Sequence, residues 1–277
     1  MTSPSSGFFV DGALARRIEI TDAWVGLESA RIHAQLYPAS GATSLPVPGG
    51  YALFLGIGSP LTQTLGLGMS GEVASEHVAA VEDFFRSRGA DVLIELCPLA
   101  HRSVVAVLAD RGYGVAGFSN MLVRRLGNPV SPASIADLTV KFCEPSEAFV
   151  WAQTILEGFV GALPASDENI AVLTSLFYQP EAVCLLARVN GVPAGGGALS
   201  VHEGVAALYG ASTIPAFRRR GIQGAIIQSL VAQAIERGCD LAYTLTEPGS
   251  VSQRNLERQQ FRVGYTRVTL IRRLTSP

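Results

Sequence analysis

Arg218, Arg219 and Arg220 stand directly before Gly221, and Gly224 follows three residues on. An apolar run over 205–209 lies ahead of them, and Pro215 comes between. Behind them Ile222, Ile226, Leu230 and Ala234 recur at every fourth position, with Ile227 and Val231 widening the stripe. This spacing predicts a strand handing over to a helix, with arginines and glycines crowded at the helix N-terminus. The first amides of a helix have no partner within it and carry the positive end of its dipole, so such a turn attracts anions. Arginine adds charge-assisted bonds to phosphate, and glycine lets a ligand approach the main chain. The chemistry expected here is the binding of a diphosphate.

Several kinds of phosphate turn exist. A nucleotide-hydrolysing loop ends in Gly-Lys-Ser/Thr, which is missing, and Gln223 and Ala225 break the three-glycine fingerprint of dinucleotide folds. The run Arg218-Arg219-Arg220-Gly221-Ile222-Gln223 instead resembles the acyl-CoA-binding motif of the Gcn5-related N-acetyltransferase (GNAT) superfamily, Gln/Arg-x-x-Gly-x-Gly/Ala. Gln223 departs from the last position of that motif. The plain alternative is a basic surface turn on an ordinary α/β helix. The flanking order is also similar to the superfamily's catalytic half over about residues 138–274. Strands over 183–189 and 193–201 alternate around Asn190-Gly191, and Glu203-Gly204 reverses the chain into 205–213. After the basic turn and its helix come a strand over 240–245, a turn at Pro248-Gly249, a helix over about 252–259 and a last strand over 261–268.

An internal repeat sets the domain count. Arg88-Gly89-Ala90-Asp91 matches Arg237-Gly238-Cys239-Asp240, each after a helix and before a strand. Pro98 and Pro248 follow, and both copies close on Arg-Arg-Leu, at Arg124-Arg125-Leu126 and Arg272-Arg273-Leu274. The resemblance then implies an α/β (α+β) protein of two tandem GNAT-like acyl-CoA N-acyltransferase folds, each a mixed, mostly antiparallel sheet flanked by helices. The expected division is a degenerate GNAT-like domain over 1–127, a Pro/Ser-rich linker over 128–136 and an acetyl-CoA-binding GNAT domain over 137–277. The first half is read as degenerate because the place of the basic turn falls at Met69, where Glu72 and Glu76 follow and no arginine is near. Carboxylates suit a helix N-terminus but repel phosphate.

Composition excludes other classes. The 277 residues suffice for two cores of about 130 residues each. A net charge of −2 gives no reason to bind nucleic acid. No apolar stretch approaches the roughly 20 residues that span a bilayer, and residues 1–7 lack the pattern of a secretory signal. Cys97, Cys143, Cys184 and Cys239 are solitary, so neither a metal nor a disulfide framework is expected, and a cytoplasmic protein is. Helices are expected over 11–35, 146–161 and 170–178, with Phe149, Ile155 and Phe159 packed inward, and Trp24 and Tyr37 in the core.

Acyl transfer to an amine needs a base to remove a proton from the ammonium, a donor for the developing oxyanion, and an acid for the departing thiolate. In the superfamily the strand before the basic turn splays from its neighbour and its amides hold the pantetheine arm. By position these residues are Ala211, Ser212 and Thr213. The turn residues Arg218, Arg219, Arg220, Gly221, Ile222, Gln223 and Gly224 then meet the diphosphate, and Asn255 lies beside the thiol. The superfamily's usual acid, a tyrosine four residues before a Gly-Phe pair, is replaced by Leu256, and the pair is Gln260-Phe261. Ser252 is the preferred stand-in, and Tyr209 and Tyr265 are alternatives, although strand tyrosines mostly pack. His202 and Glu203, at the hairpin read as facing the basic turn, are the candidate bases; Glu157, Asp167, Glu168 or a water relay could serve instead. The function expected is transfer of an acetyl group from acetyl-CoA to the primary amine of a small molecule, by direct attack in a ternary complex. The alternatives are a protein or peptide N-acetyltransferase and a non-catalytic acyl-CoA-binding sensor. A homodimer is compatible with this reading.

Overall fold

The computed structural model describes residues 8–127, 135–161 and 166–274; the expected linker therefore falls mostly outside the described residues. The chain opens with α1 (Gly12–Leu36), whose N-terminus is capped by the Asp11 carboxylate accepting from the Leu14 amide at 2.8 Å. Then follow β1 (Thr43–Val47), β2 (Gly50–Phe54), β3 (Gln63–Leu65), α2 (Ser75–Arg86), β4 (Val92–Leu96), α3 (Ser103–Ala109) and β5 (Gly114–Arg125). The later half comprises β6 (Leu138–Phe142), α4 (Ala148–Val160), α5 (Asp167–Phe177), β7 (Val183–Val189), β8 (Val192–His202), β9 (Val205–Thr213), α6 (Ile222–Glu236), β10 (Leu241–Thr246), α7 (Val251–Arg258) and β11 (Arg262–Arg272).

The sequence repeat is visible at the level of single bonds. After α2 and after α6 a glycine takes a left-handed conformation, Gly89 at φ +69° and Gly238 at φ +74°. The next amide then reaches back, Ala90 to Phe85 O at 3.1 Å and Cys239 to Ala234 O at 3.0 Å. Both are the same helix stop, in which glycine bears the positive φ at no steric cost.

Among the described residues all strands join one 11-stranded sheet in the order β1-β2-β3-β4-β11-β5-β10-β9-β8-β7-β6. The pairs β3/β4 and β9/β10 are parallel and the others antiparallel. The halves exchange their last strands. The final strand of the chain, β11, pairs with β4 of the first half, and β5, the last strand of the first half, pairs with β10 of the second. A division in sequence near residue 127 is thus not a division in space.

Helices cover both faces. On one, α2 and α3 pack over the first half and α6 and α7 over the second. The α6 stripe is the expected one, with Ile222, Ile226, Leu230 and Ala234 all buried. On the other face lie α1, α4 and α5, and α1 spans both halves. Trp151 and Ile155 are fully buried, whereas Phe149 and Phe159, expected inside, are 55% and 61% exposed. Phe149 lies off the stripe that Trp151 and Ile155 define. Phe159 lies one residue past Gly158, the point where α4 meets the end of β9.

Beneath α1 the two halves share a buried charge cluster. Arg267 of β11 donates to Glu19 at 2.9 Å and to Asp22 at 2.7 Å. Tyr265 donates to Glu19 at 2.6 Å and Tyr243 to Asp22 at 3.0 Å. Burial opposes the charge on Arg267, but the two carboxylates outweigh it and hold the guanidinium protonated.

Candidate functional site

The site begins with a parting of two strands. β10 pairs with β9 only through Leu241↔Val205, Ala242↔Ala206 and Tyr243↔Ala207. Beyond Ala207 and Tyr243 the two strands have no shared register, so they splay. On its other side β9 carries a bulge: Ser212 faces Gly196 and Tyr209 faces Ala198, leaving Gly210 and Ala211 opposite Gly197. Gly210 sits at φ +71°. A bulge bends its strand and raises the local twist, which carries the end of β9 away from β10. Ile214 donates its amide to Ala194 O on the β8 side. Main-chain groups alternate along a strand, so Ser212 also points toward β8, while Ala211 and Thr213 point into the opening.

The basic turn stands at the mouth of this opening. After a single 3-10 turn over Pro215–Phe217, Arg219 takes φ +64° and Gly221 φ +77°, and α6 begins with no side-chain cap. Among the described residues, none of the amides from Arg219 to Gly224 has a protein acceptor; the first bonded one is Ala225, to Gly221 O at 3.1 Å. Arg219 and Arg220 are exposed, and Arg220 lies 5.6 Å from the Phe217 ring. Unpaired amides, a dipole end and two exposed guanidiniums are a combination that suits an anion.

At the corresponding place in the first half two of the donors are already used. Val73 N donates to Ser103 Oγ at 2.8 Å, and Ala74 N to His77 Nδ1 at 3.0 Å. Glu72 and Glu76 are exposed beside them.

The other candidates fall in different places. The Arg218 side chain binds protein carbonyls, Thr213 O at 3.3 Å and Gly158 O at 3.0 Å, and so fastens the turn to α4. The Ser212 hydroxyl is buried and donates to Ile155 O at 3.0 Å, away from the opening. The Thr213 hydroxyl is buried without a partner. Gln223 donates to Ala211 O at 2.9 Å and accepts from Asn255 on α7 at 2.7 Å. Ser252 is half-buried on α7, one helical turn from Asn255 and so on the same face.

Tyr209 points to the α1 and α5 face. Its hydroxyl lies 2.9 Å from Ser200 Oγ and donates to Leu176 O at 3.4 Å. Burial pushes the phenol well above its ordinary range, with the neighbouring Cys184 adding to this and Ser200 opposing it. Burial likewise raises Tyr265, which is committed to Glu19. Leu256 is buried in the core beside Phe261.

His202 and Glu203 do not face the basic turn. They close the β8/β9 hairpin at its other end, and the nine residues of β9 separate them from Thr213 by roughly 25 Å. His202 stacks on Trp24 with ring centres 4.6 Å apart. Length alone corrects this expectation, because the hairpin turn and the basic turn lie at opposite ends of one extended strand.

Sequence reasoning missed Gly158 and Asn120. A Cβ on Gly158 would lie 2.4 Å from Ser212 Oγ, so glycine lets α4 seat on β9. Asn120, on the exchanged strand β5, donates to Gln253 at 3.1 Å and thereby holds α7. Only a glycine inside an apolar helical run signalled the first; nothing local signalled the second. Among the described residues no group of His, Cys, Asp and Glu could hold a metal ion, and no helix is long and apolar enough to cross a membrane.

Residues 150–261 match the model of the acetyltransferase (GNAT) family. The chain is similar in structure to a GCN5-related N-acetyltransferase from Kribbella flavida, with TM-score 0.63 and 19% identity over 88% of this chain and 95% of that one. It is also similar to a tandem GNAT protein from the clavulanic acid biosynthesis pathway, with TM-score 0.61 and 12% identity over 92% and 94% of the two chains. A GCN5-related N-acetyltransferase from Sphaerobacter thermophilus gives TM-score 0.53 and 18% identity over 66% and 59%. No curated protein matches the sequence. The family match thus falls within the later half of the chain, and the whole has the tandem GNAT fold.

Proposed function

We propose that this GNAT domain moves an acetyl group from acetyl-CoA to the primary amine of a small molecule, by direct attack in a ternary complex. The observation that carries the reading is the run of unpaired amides from Arg219 to Gly224, set at the mouth of the β9/β10 opening. In this reading those amides, with Arg219 and Arg220, bind the diphosphate. The pantetheine arm lies between β9 and β10, where Ala211 and Thr213 offer main-chain groups to it and to the thioester carbonyl. An oxyanion formed there meets fixed donors in a site with little water, where they act most strongly. Ser252, on the face of α7 that carries Asn255, is the group we assign to protonating the departing thiolate.

The base is assigned to water held in the cleft, since His202 and Glu203 lie at the far end of the hairpin and Tyr209 is kept neutral by burial. Residues 137–277 carry this chemistry, and residues 1–127 shape the acceptor side. The unpaired cysteines suit a reducing compartment, the cytoplasm. The burial of Leu256 where the superfamily has its usual acid favours one second reading, a protein that binds acyl-CoA without turnover. Incubation with acetyl-CoA and a panel of amines, with free thiol measured, separates them. Thiol release with at least one amine is expected; thermal stabilisation by acetyl-CoA with no release for any amine would leave only the sensor.

A further inference from the structure

The GNAT motif ends in glycine or alanine, and this chain puts Gln223 there. Its carboxamide reaches across the opening: Nε2 donates to Ala211 O at 2.9 Å, and Oε1 accepts from Asn255 Nδ2 at 2.7 Å. The splay has deprived the Ala211 carbonyl of a strand partner, and a main-chain carbonyl without one is satisfied by another donor. Gln223 provides one, and ties β9 to α7 over the gap that separates β9 from β10. Asn255 does not swing loosely, because Asn120 of β5 holds the same helix through Gln253 at 3.1 Å.

We infer that Gln223 is an affinity-setting latch, a side-chain amide occupying the place that a secondary amide of the pantetheine arm takes on the Ala211 carbonyl. The inference rests on the acyl-CoA reading given above. The incoming arm exchanges one N–H donor for another on Ala211, and Gln223 leaves the opening. The cosubstrate must therefore displace two neutral hydrogen bonds that a protein with alanine at this position never forms. Neither amide titrates, so the latch acts equally across the working pH range.

The test compares wild type with Gln223→Ala and, independently, Gln223→Ser, each titrated calorimetrically with two ligands. Coenzyme A carries the pantetheine arm; 3′-phosphoadenosine 5′-diphosphate has the same nucleotide and diphosphate without it. Both variants should bind coenzyme A about tenfold more tightly, the effect of roughly two modest hydrogen bonds. Their affinity for the nucleotide alone should match wild type. Unchanged or weaker coenzyme A binding in the variants would overturn the latch while leaving the acyl-CoA reading intact. An equal gain for both ligands would overturn it as well, since Gln223 would then act on the phosphate turn. If wild type and variants bind neither ligand, the acyl-CoA reading fails and the latch falls with it.

Discussion

Adding one methyl group at Gly158 should disturb both stability and the site, and the coordinates set the size of the effect. The new Cβ would lie 2.4 Å from Ser212 Oγ, 2.7 Å from Ser212 Cβ and 3.1 Å from the Thr213 amide. Ser212 cannot simply turn aside, because it is buried and donates to Ile155 O at 3.0 Å. Either α4 lifts from β9 or that bond breaks. Overpacking costs about 1–3 kcal/mol and a lost bond about 1 kcal/mol, so by either route Gly158→Ala should lose roughly 1–3 kcal/mol in urea unfolding. Arg218 is held by Gly158 O at 3.0 Å and Thr213 O at 3.3 Å, so a lifted α4 also displaces the basic turn. Coenzyme A binding should weaken about tenfold, equivalent to roughly 1.4 kcal/mol. The companion Ser212→Gly removes the two closest contacts. It destabilises by itself, since glycine within a strand costs about 0.5–1 kcal/mol. Combined with Gly158→Ala, however, it should restore stability relative to Gly158→Ala alone, a coupling of about 1–2 kcal/mol. Additive losses in the double variant, or a Gly158→Ala protein within about 0.5 kcal/mol of wild type, would refute this packing account.

Reversing Arg220 to glutamate removes a charge-assisted partner from an exposed position, so acyl-CoA affinity should drop about 100-fold by calorimetry with an unchanged unfolding midpoint; unchanged affinity would contradict the anion site. Replacing Arg267 by methionine strands Glu19 and Asp22 in the interior and should cost about 3–5 kcal/mol in urea unfolding; Glu19→Gln and Asp22→Asn added to it should recover part of that loss, and no recovery would tell against the cluster as the cause. Burial holds the His33 imidazole below its ordinary value of 6.5, with the Ala171 carbonyl opposing. The fold therefore excludes a proton that the unfolded chain accepts, so this contribution is complete above pH 6.5 and declines below it. Stability curves should show His33→Gln gaining on wild type as pH falls from 7.5 to 5.5, by at most about 1.4 kcal/mol per pH unit; parallel curves would refute it.

Features set by neighbours in sequence were legible; those set by partners across the sheet were not. Alternation and Asn190-Gly191 placed the β7/β8 hairpin, and fourfold spacing placed α6, because each pattern reflects one element meeting one surface. The left-handed stops at Gly89 and Gly238 were likewise visible as a repeat. The error at His202 and Glu203 arose from treating two turns on one strand as neighbours, when the nine residues of β9 hold them apart. The bridge from Gln223 to Ala211 and Asn255 joins three elements, and no local pattern encodes such a contact.

The exchanged strands were hidden for a related reason. Periodicity identifies a strand but not its neighbour, and β5 and β11 end in the same Arg-Arg-Leu, so nothing local distinguishes a strand that stays from one that crosses. The crossing bears on function through α7. β5 comes from the half in which Ser103 and His77 take the Val73 and Ala74 amides, yet it separates β10 from β11 in the sheet. It also carries Asn120, which holds Gln253 on α7 and accepts from Thr266 on β11 at 2.7 Å. The first half therefore braces the cleft of the second through Asn120. Remove residues 1–127 and β10 loses an antiparallel partner, β11 loses both of its neighbours, and α7 loses the anchor that sets its distance from β9. On this geometry the first half is a structural component of the cleft in the second.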